Sequence, residues 1–130
     1  MSETAGSAPG FATRPDHRIE IAPAAARVRV RVAGATVADS GRALEMREAD
    51  YPPVYYLPRA DVRMDLLRAT DHTTTCPFKG AARYWSIHVG ETRAENAVWC
   101  YETPYREVAR IAGHLAFYPD RTEIACPPRD

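Results

Sequence analysis

The chain has 130 residues, enough for one domain to close a hydrophobic core without disulfide staples. Apolar residues make up 45 % and charged residues 26 %, and the 17 basic and 17 acidic side chains cancel, which disfavours a general binder of the nucleic-acid backbone. No apolar run approaches the roughly 20 residues that span a bilayer, so no membrane partner is expected.

Residues 1–17 are rich in Ala, Gly, Ser, Thr and Pro and lack a charged-then-apolar signal pattern. They read as a flexible arm of a cytoplasmic protein, ahead of one domain over 18–126 and a short tail over 127–130. The first strong element is Arg27 to Val32, where Arg and Val alternate strictly. Period two marks a half-buried strand, with Val28, Val30 and Val32 facing the core. Gly34 turns the chain and Ala35 to Ala38 reads as the returning strand. Ala43 to Glu48 and Val54 to Leu57 are further strands, separated by Pro52 and Pro53. Pro58 to Leu67 changes to helical spacing and predicts a short helix or turn.

Thr70 to Gly80 is polar and reads as a loop, Ala82 to Val89 as an aromatic-rich strand, and Gly90 to Asn96 as a charged loop. Ala97 to Tyr101 is a short strand with Trp99 and Tyr101 on one face and Cys100 on the other. Pro104 and Gly113 bracket a helix over Tyr105 to Gly113. Leu115 to Tyr118 and Thr122 to Cys126 read as a closing hairpin. The count is eight short strands and one or two short helices, which predicts a mainly β, antiparallel fold.

Three widely spaced cysteines, Cys76, Cys100 and Cys126, form no Cys-x-x-Cys pair. A disulfide framework and a thiolate zinc site are both disfavoured, and the four histidines show no ligand spacing, so no metal or other cofactor is expected. Of the 17 basic residues only Lys79 is a lysine. A lone lysine in an arginine-writing chain marks a position where a compact, titratable ammonium serves and a guanidinium does not.

Lys79 lies in Thr75-Cys76-Pro77-Phe78-Lys79-Gly80, the first candidate site. Pro77 presets a turn and Gly80 permits a left-handed residue, so the amides between them are able to converge on an anion beside Thr75 and Lys79. Three readings stay open: a structural turn, a ligand-binding turn, or a catalytic turn with Cys76 as nucleophile and Lys79 holding its thiolate. Arg59 and Asp61 follow a strand end and form a second candidate, with Arg59 forking an acidic group; the plainer alternative is a capped turn. Tyr56, Trp99 and Tyr101 offer a stacking wall for a ring, or plain core. Glu48 and Glu102 are acids without an assignable partner.

Val54-Tyr55-Tyr56-Leu57-Pro58-Arg59-Ala60-Asp61-Val62, then Thr75 to Gly80 with Tyr84-Trp85, then Ala97-Val98-Trp99-Cys100-Tyr101, Gly113 and Phe117-Tyr118 resemble the domain-of-unknown-function 427 family, over roughly Ala33 to Ile124. The resemblance implies a β-tent, two antiparallel sheets leaning together. Zinc-bearing β-tents use paired Cys-x-x-Cys knuckles, which this chain lacks. The nucleotidyltransferase-like label sometimes attached to the family needs a Gly-Ser pair followed by spaced aspartates that hold two magnesium ions, and no such combination supports it here. The expected function is therefore binding of a small anionic or ring-containing ligand near Lys79, by a monomer or small homo-oligomer. The alternatives are a Cys76 enzyme and an interaction module without a pocket.

Overall fold

The computed structural model describes residues 6–126, so the tail expected at 127–130 lies outside the described residues. The fold is mainly β and antiparallel, as the sequence predicts. Ten strands, among the described residues, form three sheets. β1 (Ile19–Pro23), β4 (Leu44–Glu48) and β5 (Val54–Tyr56) make the first, in the order β1-β4-β5. β2 (Val28–Val32), β3 (Ala35–Ser40) and β10 (Glu123–Ala125) make the second, with β2 central. β6 (Leu67–Cys76), β7 (Gly80–Val89), β8 (Thr92–Cys100) and β9 (Leu115–Phe117) make the third, in sequence order.

The arginine-valine alternation does what its period demands. Val28, Val30 and Val32 are buried while the arginines face water, where Arg27 and Arg29 meet Asp39 across the β2–β3 ladder. Ala33 and Gly34 both take positive φ, 49° and 82°, which is the twist a two-residue hairpin needs. Leu57 and Leu115 exchange two backbone hydrogen bonds of 2.8 Å, and this one bridge seams the first sheet to β9. Two sheets are expected and three are found because the pairing of β5 with β9 does not extend beyond that bridge.

Two loops expected in the sequence are strands. Thr70 to Cys76 belongs to β6, an edge strand exposed along almost its whole length after Leu67. With neither face buried it carries no alternation, although its threonines are good strand formers. Gly90 to Asn96 collapses to a turn at Gly90 and Glu91, and β8 begins at Thr92. β1 is also a strand with no clear period. The helix expected over Tyr105 to Gly113 is a pair of 3-10 turns, Arg106–Ile111, broken at Val108 where φ is −125°. Pro58 to Leu67 forms two 3-10 turns, Arg59–Asp61 and Met64–Leu66. The closing hairpin is replaced by two separate pairings: β9 adds to β8 and β10 adds to β2.

The core has two parts. Val28, Val30, Val37, Trp85, Ile87, Val98, Cys100 and Leu115 fill the space between the second and third sheets. Each such buried aliphatic contributes about 1.5–3 kcal/mol. Met46, Tyr56, Tyr84, Tyr101, Val108 and Ile111 fill the space on the opposite face of β7 and β8, below the first sheet. The segment expected as an arm is described from residue 6 onward. There it lies against the β6–β7 turn: a single helical turn α1 (Gly10–Thr13) places the Gly10 amide 2.9 Å from the Pro77 carbonyl.

Candidate functional site

Pro77, Phe78 and Lys79 are the whole of the β6–β7 turn. Gly80 follows at φ 119°, a conformation that favours glycine, and starts β7. The turn is held at two carbonyls, Pro77 accepting from Gly10 and Lys79 accepting from the Tyr105 amide at 3.0 Å. This fixes the backbone at the one lysine and turns its side chain inward. Lys79 is only 9 % exposed.

Its Nζ donates to Glu48 Oε1 at 2.5 Å. Glu48 ends β4, and Ala49 after it takes φ 47°, turning the chain away and leaving the carboxylate at the strand end. The other oxygen, Oε2, lies 2.8 Å from His17 Nε2. A carboxylate only accepts, so this ring nitrogen carries the proton. Burial acts to raise the Glu48 carboxyl, but the hydrogen bonds from Lys79 and His17 outweigh it and hold the group below the usual carboxylate range.

Lys79 and Glu48 face a hollow of about 220 Å³ whose wall includes Tyr56, Tyr84, Trp99, Tyr101 and Tyr118. Trp99 packs on Tyr118 with ring centres 4.4 Å apart and points its Nε1–H at the Tyr56 hydroxyl, 3.4 Å away. The Tyr84 hydroxyl sits 3.0 Å from Thr74 Oγ1 and 3.3 Å from the Tyr118 hydroxyl, a chain of three polar groups along the wall. Burial pushes the Tyr56 and Tyr101 hydroxyls far above their ordinary 10.0, and burial with the Tyr84 hydroxyl pushes Tyr118 up to about 12. All three are neutral hydroxyls at pH 7. A wider apolar hollow of about 560 Å³ adjoins this one, sharing Tyr51, Pro52, Val54, Trp99 and Tyr118 and continuing to Phe117 and Ile124.

Of the residues expected at the site, Tyr56, Lys79, Trp99 and Tyr101 meet at this hollow. Arg59 does not: its guanidinium lies 5.6 Å from the Trp85 ring, on the other side of the third sheet. Asp61 also stands apart, accepting from Ser40 at 2.6 Å and Arg42 at 3.0 Å, and the Arg42 hydrogen bond lowers its pKa. Thr75 is exposed on β6 and pairs with Ala81. Cys76 is half-buried at the end of β6 against the tyrosine-rich core, and neither it nor Gly80 lines the hollow. Cys100 faces the opposite core, where burial pushes its thiol up to about 12.

Glu48 acquires the partner the sequence could not supply, since Lys79 and His17 each lie 31 residues from it along the chain. Tyr84 and Tyr118 were legible as aromatics on strands, but their shared face follows from the β7-β8-β9 order. Among the described residues no group of three or more His, Cys, Asp or Glu side chains stands close enough to hold a metal ion, and no helix is long and apolar enough to cross a membrane. Residues 20–126 match the family described as a domain of unknown function, DUF427. No curated protein matches the chain.

Proposed function

The chain belongs to the DUF427 family, and within that family we propose that it is a binding domain for a small ring-bearing molecule, seated in the hollow between Lys79 and Trp99. The polar edge of the ring meets the Lys79–Glu48 pair and its face lies on Trp99 and Tyr118. The observation that carries this reading is the placement of the chain's one lysine, drawn in from solvent and paired at the base of an aromatic wall. Removing two charges from water costs several kcal/mol per ion, and apolar residues of similar volume often stabilise a core as well or better. A charged pair kept in such a place is better accounted for by a ligand than by the fold.

The size of the hollow, about 220 Å³, falls below the roughly 300–1,000 Å³ of sites for drug-sized ligands and suits one ring with few substituents. The pair is already neutral. A ring whose edge offers both a donor and an acceptor satisfies Glu48 and Lys79 together, whereas an anion gains Lys79 only by displacing Glu48. Benzamide and benzoate therefore serve as probes, read by the Trp99 indole N–H resonance in a titration of the labelled protein. Benzamide is expected to shift that resonance saturably and more strongly than benzoate, and Lys79→Met is expected to abolish the shift while the remaining spectrum stays dispersed. No saturable shift, or the same shift in the folded Lys79→Met protein, overturns the reading.

A further inference from the structure

The segment ahead of β1 lies outside the residues matched by the family, yet it reaches the charged cluster. We infer that residues 8–17 are an integral strap of the Lys79 site, and that His17 is the positioning residue through which the strap acts. This goes beyond the ligand reading and stands on the strap's own contacts.

The strap is fastened at both ends. At its start the Ala8 amide donates to Glu107 Oε1 at 2.9 Å and Ser7 Oγ donates to Oε2 at 2.8 Å, while the Arg106 amide donates to the Gly6 carbonyl at 2.7 Å. The Ala8 hydrogen bond, foremost, lowers the Glu107 pKa. In the middle Gly10 lies so close to the β6–β7 turn that a Cβ there would come within 2.6 Å of the Phe78 ring and 2.9 Å of the Pro77 oxygen. Phe11 meets Phe78 edge-on with ring centres 5.1 Å apart, and the His17 ring stacks on the Phe78 ring itself at 3.9 Å. Phe78 immediately precedes Lys79, so the strap grips the turn that presents the lysine.

At its far end the strap supplies the second bond to Glu48. With Lys79 on Oε1 and His17 on Oε2, the carboxylate has a partner on each oxygen and one orientation. A carboxylate with one partner turns freely about its last torsion, which is broad and two-fold. His17 therefore sets where Glu48 points, and Glu48 sets where the ammonium is held. An amine whose proton is engaged by a fixed carboxylate is a poor nucleophile; releasing the carboxylate releases the amine.

Because Lys79 is the one lysine, an amine-acylating reagent such as sulfo-N-hydroxysuccinimide acetate reads this site directly, by mass spectrometry of the peptide that contains it. In the full-length protein, His17→Ala is expected to raise the Lys79 acylation rate several-fold to about tenfold, the scale of one lost charge-assisted hydrogen bond. His17→Gln, which keeps a donor, is expected to stay within about twofold of the parent. Gly10→Val keeps the His17 side chain in the sequence but forces the strap off Phe78, drawing His17 away from Glu48, and is expected to raise the rate as His17→Ala does. Thermal melts establish that each variant is folded at the labelling temperature. Unchanged acylation in either folded His17→Ala or folded Gly10→Val overturns the inference, and so does a rise in His17→Gln equal to that in His17→Ala. The labelling needs no ligand, so its result and that of the benzamide titration stand or fall separately.

Discussion

Strands β7 and β8 send alternate side chains into two interiors of opposite character. On one face Trp85, Ile87, Val98 and Cys100 join the valines of β2 in an interior sealed from water. On the other, Tyr84, Trp99 and Tyr101 meet Tyr56 and Tyr118 around a hollow that holds a charged pair. The two faces belong to the same strands and differ by one residue in register. One face is mostly aliphatic, and the other carries tyrosine hydroxyls and the Trp99 indole N–H, several of them bonded to one another. A sealed core and a polar hollow are divided between the two sides of a single sheet.

The comparison is broken most directly by trimming one side chain on each side. Ile87→Ala, in the sealed interior, is expected to cost about 3–4 kcal/mol, since the cavity cannot be filled by solvent. Tyr118→Phe, on the open side, is expected to cost less than about 1 kcal/mol, because only a partly solvated hydroxyl is lost. Denaturant unfolding of both proteins checks the pair, and equal costs would erase the distinction between the faces.

A smaller effect distinguishes the faces by pH. The Tyr118 hydroxyl ionises at about 12 in the fold against an ordinary 10.0, and Tyr56 and Tyr101 move in the same direction. The folded state holds these protons more tightly than the unfolded state. Their stabilisation is therefore complete below pH 10 and lost as pH rises from 10 towards 12. Cys100 adds a similar loss from its ordinary 9.0 upward, so Cys100→Ala is the background in which to measure. In that background the stability is expected to fall steeply above pH 10, and adding Tyr118→Phe is expected to flatten the slope. An unchanged slope would show that the open side is no more sensitive than the rest.

The smallest expected effect belongs to Arg59. It lies over Trp85 on the sealed side, exposed, at 5.6 Å, where such a contact contributes about 0.5–1 kcal/mol. Arg59→Ala is expected to lower stability by no more than that and to leave the benzamide-induced shift of Trp99 unaltered. A lost shift would place Arg59 at the hollow after all.

What the sequence reveals follows the same division. Val28, Val30 and Val32 face a sealed interior, so their alternation is clean and the strand is legible. β6 faces solvent on both sides after Leu67, so its polar threonines carry no period and read as a loop. The lysine was conspicuous by its solitude, and the aromatic residues by their spacing on one strand. Glu48 and His17 were not, because their partners are brought to them by β1-β4 pairing and by the strap, neither of which leaves a local mark. The β10–β2 pairing was hidden for the same reason: a hairpin with β9 is the nearer option in sequence, and the valine sheet wins the strand by offering Val30 opposite Ile124.

That last pairing bears on how the molecule comes into being. Among the described strands β2 is made early and its neighbour β10 last, with Glu123 opposite Arg31. The edge of β2 that faces away from β3 stays bare until β10 is made. Distant pairings of this kind slow folding, because the intervening chain must be ordered before they form. Until then that edge carries Arg29 and Arg31, and charge along an open edge disfavours its pairing with another chain.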